Sequence, residues 1–199
     1  NGYKGYGVFS SGGLNETIID GTIETLGELS HAISVSGGEN KTTVSGSIVT
    51  GDPNENTKTK NSYGIRNEGI GNETTVSAGG SIKTYGTSSH GIYKLGDGNE
   101  TTVSAGGTVT TTGPSSHGVF NEGNTNTTTV SGDIDTTGEK ANGVYNKGSG
   151  NVTTIEAGGS ITAQSAQGVR NTGSGNTTNV AGSISTKGDQ YQDQQDGKW

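Results

Sequence analysis

One unit recurs seven times along this chain, and each copy holds its aliphatic and glycine positions at fixed offsets. With the first aliphatic residue of each copy as anchor, the series is Val8, Ile33, Ile65, Ile92, Val119, Val144 and Val169, spaced 25, 32, 27, 27, 25 and 25 residues. A period in this range marks a solenoid, in which one repeat cannot bury its own apolar face and stacking on neighbours does it instead. Eleven residues after each anchor lies a second aliphatic row, Ile19, Val44, Val76, Val103, Val130, Ile155 and Val180, and a third follows at Ile23, Ile48, Ile82, Val109, Ile134, Ile161 and Ile184. Three rows per copy predict three short strands per coil. The fold expected is therefore all-β, a right-handed parallel β-helix of about seven coils of 25–32 residues, the hand following from the strong default of parallel crossovers. At a strand spacing of ~4.8 Å the rod is roughly 30–35 Å long. Four residues after every anchor stands a glycine, Gly12, Gly37, Gly69, Gly96, Gly123, Gly148 and Gly173, which calls for a backbone with positive φ.

Composition alone argues for disorder, because only 24% of the residues are hydrophobic. The repeat overrules it, since each three-sided coil needs few aliphatic side chains inside. Thirty-eight glycines against two prolines suit a chain that turns every few residues. The formal charge of −7 is spread along the sequence without a basic face, which argues against nucleic acid and anionic membrane as partners. With no cysteine there is neither a disulfide framework nor a thiolate metal site. No apolar run approaches the length of a membrane span or signal-peptide core, so direct membrane insertion of this segment is not expected.

Within a strand, side chains alternate between faces. The motif N-x-T-T-V therefore puts Thr17, Thr42, Thr74, Thr101, Thr128, Thr153 and Thr178 inside with the second aliphatic row. The third strand adds Thr25, Thr50, Thr84, Thr111, Thr136 and Thr186, with Ala163 as the exception, and such stacked hydroxyls can satisfy one another. Two residues after the anchor come Asn67, Asn121, Asn146 and Asn171, replaced by Ser10, Val35 and Lys94 in other copies; this reads as an asparagine ladder at a corner. Length varies at two places. Ala-Gly-Gly at 78–80, 105–107 and 157–159 enlarges one corner, and the polar insertion 52–60 reads as a protruding loop. The solenoid spans 1–188, and 189–199 is a polar tail, a linker or a cap. Copy one shows no amphipathic cap, which suggests a piece of a longer rod or ends that meet other copies.

The runs S-S-H-G-I-Y at 88–93, S-S-H-G-V-F-N at 115–121 and T-T-V-S-A-G-G-S-I at 74–82 resemble bacterial autotransporter passenger repeats, over about residues 1–188. That resemblance implies a right-handed β-helix, exported to the cell surface by a C-terminal outer-membrane barrel, with an adhesive or self-associating role. It transfers no functional residue position by position.

Several rows are candidates for function. One residue after the anchor, facing outward, run Phe9, Ser34, Arg66, Tyr93, Phe120, Tyr145 and Arg170. Arg66, Tyr93, Phe120, Tyr145 and Arg170 form a candidate binding stripe for a glycan, a protein or a second rod, although stacked aromatics also simply shield a strand. Seven N-x-[S/T] sequons, at Asn15, Asn40, Asn72, Asn99, Asn126, Asn151 and Asn176, are possible glycosylation sites, but the favoured reading is a turn-making asparagine followed by a core threonine. His31, His90 and His117 share a row with Tyr6, Tyr63, Asn142 and Gln167, a mixture that favours stacking over the three ligands zinc wants. Acids are scattered: Asp133 and Asp135 meet Ser160 and Thr162 on the next coil, so no carboxylate pair for glycoside cleavage is in register. No catalytic or metal residues and no cofactor are assigned. An ice-binding face would need flat threonine arrays, and Thr43, Thr75, Thr102, Thr129 and Thr154 are one residue wide beside charged neighbours. The expectation is a non-enzymatic, extracellular structural or adhesive segment. The alternative is a filament subunit stacked coil end to coil end.

Overall fold

The computed structural model describes residues 5–54 and 59–187. Residues 55–58 of the predicted loop and the predicted tail 189–199 lie outside the described residues. The described chain is a right-handed parallel β-helix without helical segments, built of 21 strands in three seven-stranded sheets. Sheet 1 collects the first strand of each copy, from Tyr6–Ser11 to Val169–Thr172. Sheet 2 runs from Glu16–Ile19 to Thr177–Val180, and sheet 3 from Thr22–Thr25 to Ser183–Thr186. The register is the one the aliphatic rows dictate: Ile33 pairs with Ile65, Ile92 with Val119, Val103 with Val130 and Val109 with Ile134. Down the middle coils these rows are closed from water, Ile65, Val76, Ile92, Val103 and Val130 all being 0% exposed. Each such side chain contributes roughly 1.5–3 kcal/mol of burial. The rows open at the last described coil, where Val180 is 52% exposed.

All seven corner glycines have positive φ, from 97° at Gly12 to 154° at Gly123. A Cβ at Gly37, Gly69, Gly96, Gly123, Gly148 or Gly173 would also collide with the carbonyl of the corner glycine in the coil before, so close stacking and handedness demand the same residue. The next left-handed position of this corner carries side chains, at Leu14 (61°), Glu39 (57°) and Thr125 (54°). The described end of the 52–60 insertion is anchored to the rod. Thr59 is buried, and Lys60 bridges in parallel to Thr87, so the segment rejoins the rod before sheet 1 resumes.

The asparagine ladder at the corner is formed by a row other than the one expected. The sequon asparagines Asn15, Asn40, Asn72, Asn99, Asn126, Asn151 and Asn176 occupy the corner between sheets 1 and 2, and each Oδ1 after the first accepts the backbone N–H of the asparagine one coil earlier, at 2.8–3.0 Å. Their Nδ2 groups reach back as well: Asn99 donates to Gly69 O (3.0 Å), Asn126 to Gly96 O (3.0 Å) and Asn151 to Gly123 O (3.0 Å). Asn67, Asn121 and Asn146 instead point into the coil interior at 0% exposure. There Asn121 donates to Asn146 Oδ1 (2.6 Å) and Asn146 to Asn171 Oδ1 (2.8 Å). Each also donates to the sheet 2 threonine seven residues on, as Asn121 does to Thr128 and Asn146 to Thr153.

Lys94 interrupts this interior row and is the largest fully buried side chain described. Its amine reaches Thr127 O (3.1 Å) and Asn99 O (3.4 Å), past the neighbours an asparagine would have served. Thr101 Oγ1 and Asn121 Oδ1 are left without a hydrogen-bond partner, and so is Asn67 Oδ1, where Val35 supplies no donor. Burial pushes the Lys94 amine down to about 7, against a smaller upward pull from Glu100.

The buried threonines of sheet 3 do not bond one another as stacked hydroxyls. Thr84, Thr111 and Thr136 donate to the backbone carbonyls of Ser89, Ser116 and Ala141 across the next corner. At that corner Ser62 and Ser89 accept N–H bonds from the coil before, Ser30 N to Ser62 Oγ (3.3 Å) and Ser62 N to Ser89 Oγ (3.1 Å), and Ser116 Oγ continues the series from Ser89 N (2.8 Å).

Candidate interaction face

The outward side of sheet 1 carries every ring–ring contact described, in two adjoining columns. The column nearest the sheet 3 corner is Tyr6, His31, Tyr63, His90 and His117. From His31 onward its rings lie flat on one another along the rod axis: His31 on Tyr63 at 4.7 Å and 1°, Tyr63 on His90 at 5.2 Å and 8°, His90 on His117 at 4.9 Å and 4°. Backbone bonds hold these rings in place. His31 Nδ1 accepts Tyr63 N–H (3.1 Å), His90 Nδ1 accepts His117 N–H (3.0 Å) and His117 Nδ1 accepts Asn142 N–H (3.0 Å). Each neutral imidazole therefore carries its proton on Nε2. Burial pushes His31 and His117 down to about 4, with smaller contributions from Arg66 and Arg170 respectively, and it lowers His90 as well, with His117 adding to the shift. A row of neutral, stacked imidazoles with Nδ1 already bonded is an architectural arrangement, and no cluster of three His, Cys, Asp or Glu residues stands among the described residues.

The second column is the predicted stripe, and the strand register brings its members together: Arg66 beside Tyr93, Tyr93 beside Phe120, Phe120 beside Tyr145 and Tyr145 beside Arg170. Phe120 and Tyr145 stack at 4.9 Å and 6°, and the Arg170 guanidinium lies over the other Tyr145 face at 4.9 Å. His117 meets Phe120 and Tyr145 edge-on at 75° and 80°. The ring faces are thus largely occupied by one another and by Arg170. What the stripe offers outward is mainly half-exposed ring edges, which carry the positive end of the ring quadrupole. The column alongside is charged. Glu68 pairs with Arg66, while Glu122 accepts from Tyr93 Oη (2.6 Å) and pairs with Lys147 (2.7 Å). Those hydrogen bonds, led by the one from Lys147, hold the Glu122 carboxyl below its ordinary range, and burial together with Glu122 raises the Tyr93 phenol.

The sequon residues do not reach this face. Asn40, Asn72, Asn99, Asn126 and Asn151 are at most 2% exposed, and in four of them Nδ2 is engaged in the corner ladder. A glycan has no room on these five in the folded rod; Asn15 and Asn176 are half-buried. Asp133 is exposed and accepts from Ser160 Oγ (2.5 Å), and Asp135 lies in register with Thr110 and Thr162 rather than with a second carboxylate. The Thr43, Thr75, Thr102, Thr129 and Thr154 row follows the outside of sheet 2 beside Lys41, Glu73 and Glu100. The cleft formed by Tyr6, Leu29, His31, Asn61, Tyr63 and Arg66 was not legible in the sequence. No protein-family model, curated protein or solved structure matches this chain.

Proposed function

We propose that the chain is a non-enzymatic adhesive or self-associating β-helical segment of a bacterial surface protein, acting outside the cell through the outward face of sheet 1. The observation that carries this reading is the continuous run of rings and guanidinium groups from Tyr6 to Arg170 on one side of a rod whose other two sides are hydroxyl-rich. Aromatic and arginine side chains supply most binding hot spots, whereas threonine and serine rarely do. A stripe repeating at the coil spacing can meet a repeating partner at several points, and each contact after the first is favoured by the tether of the others. Host or bacterial surface glycans, surface proteins and other copies of the chain are the partner classes in view. Because the ring faces are engaged internally, the partner is expected to approach ring edges, tyrosine hydroxyls and imidazole Nε2–H groups, which favours acceptor-rich surfaces.

The test is to replace Tyr93, Phe120 and Tyr145 together with serine. Ser34 already stands in this row, so the variant is expected to fold, with a lowered melting midpoint from the lost ring contacts. Surface adhesion or aggregation should drop sharply; undiminished activity in the folded variant would sink the proposal. A second reading is a filament of coil ends stacked end to end. Electron microscopy separates the two, since rods that grow end to end support the filament and dispersed short rods the adhesive segment.

A further inference from the structure

At the first three coils the outward side of sheet 1 carries a cleft of about 320 Å³, lined by Tyr6, Leu29, His31, Asn61, Tyr63 and Arg66. We propose that this cleft binds a carboxylated sugar, a hexuronic acid unit of a polysaccharide. The inference rests on the reading of sheet 1 as the contact face and names one ligand for its first three coils.

Size and chemistry both point that way. The volume lies at the lower end of the roughly 300–1,000 Å³ of small-molecule sites, enough for a sugar unit but not for a protein segment. The Tyr6 ring meets His31 at 36° with centroids 5.7 Å apart, so these rings form an open wedge instead of the closed stack that His31 makes with Tyr63. Tyr6 is 46% exposed, and its ring can cover the C–H side of a pyranose. Around the wedge stand donors and acceptors suited to sugar hydroxyls: the Tyr6 and Tyr63 phenols, the Asn61 carboxamide and the His31 Nε2–H, whose place on the ring follows from Nδ1 accepting Tyr63 N–H. The carboxylate falls to Arg66. Glu68 engages Nη2 of its guanidinium, and Nε and Nη1 have no partner among the described residues. Its charge is felt inside the cleft despite Glu68, since Arg66 helps lower the His31 pKa and counters the upward effect of burial on the Tyr63 phenol.

The test is titration of the intact chain with glucuronate, glucose and acetate, followed by calorimetry and by tyrosine and histidine NMR shifts. Glucuronate is expected to bind in the millimolar range and to shift His31, Tyr6 and Tyr63, with glucose and acetate each about tenfold weaker or more, as loss of one charge-assisted contact or of the ring contacts implies. Tyr6→Ser removes the exposed ring from the wedge and should abolish binding in a folded rod. Arg66→Gln should remove the preference for glucuronate over glucose. Equal binding of glucose, acetate matching glucuronate, or full affinity in folded Tyr6→Ser each overturns the inference. The adhesive reading fails or stands separately, because a Phe120→Ser, Tyr145→Ser variant is expected to lose adhesion while keeping glucuronate binding.

Discussion

Two asparagine rows run the length of this rod, and they differ in what their side chains bond to. At the corner, the amides of Asn99, Asn126 and Asn151 bond backbone groups of the coil before through both oxygen and nitrogen, and the row holds asparagine in all seven copies. In the interior, amides bond other side chains, and the row holds asparagine in four copies, giving way to Ser10, Val35 and Lys94. The difference is one of substitutability. A corner side chain supplies an acceptor to an N–H and a donor to a carbonyl where the chain bends out of its strands, and no other residue type offers both at that reach. An interior amide meets partners that can change with it. Where they have not changed, as around Lys94, the unmatched atoms are visible as Thr101 Oγ1 and Asn121 Oδ1.

The strongest way to break this comparison is at the corner. Asn126→Ala removes the acceptor of Asn99 N–H and the donor to Gly96 O, both in a fully buried setting, and is expected to cost about 3–4 kcal/mol, read as a lowered urea midpoint. A change below about 1 kcal/mol would show that the corner ladder follows the fold rather than supporting it.

Lys94→Asn sharpens the comparison from the other side. It should complete the interior row from Asn67 to Asn171 and give Thr101 and Asn121 their missing donor, raising stability by about 2–3 kcal/mol. It should also change the pH dependence. The unfolded lysine takes up its proton near 10.5 and the buried one only near 7, so the wild-type fold loses stability as pH falls from about 10.5 to 7 and changes little from this group below that. Melting curves between pH 7 and 9.5 should therefore rise in the wild type and stay flatter in the variant. Parallel curves would mean that the amine keeps its proton in the folded rod.

The smallest expected effect concerns the left-handed corner position. Thr125 holds φ 54° in a row where Gly71, Gly98, Gly150 and Gly175 stand in other copies, so Thr125→Gly should stabilise by about 1 kcal/mol or less, measured in the same denaturant titration.

Much of this architecture is legible in the sequence because strand register in a solenoid is sequence offset. The aliphatic rows, the inside position of Thr128 against the outside position of Thr129, and the positive φ of Gly123 all follow from counting. The identity of the corner ladder does not. Asn121 and Asn126 recur with the same spacings, and only the place where the backbone leaves sheet 1 decides which faces the core and which the bend. The candidate face is legible to the same degree. Offsets align Tyr93, Phe120 and Tyr145, but ring tilt is set by side-chain torsions and by the backbone bonds to the neighbouring histidines, so the engagement of the ring faces is not encoded in any spacing. The cleft between Tyr6, His31 and Arg66 depends on the tilt of the Tyr6 ring against His31, and a pattern of residue types does not carry that.

The ladders have a mechanical side. Every rung joins a coil to its immediate neighbour, and among the strand pairs described none skips a coil. A rod pulled from its two ends therefore yields from an outer coil inward, one coil at a time. Each 25-residue coil released adds about 80 Å of slack, at some 3.3 Å per residue, against the ~5 Å of axial length it had supplied. For a tether held at many weak points along one face, that ratio lets the free end lengthen many-fold before the remaining contacts feel the load.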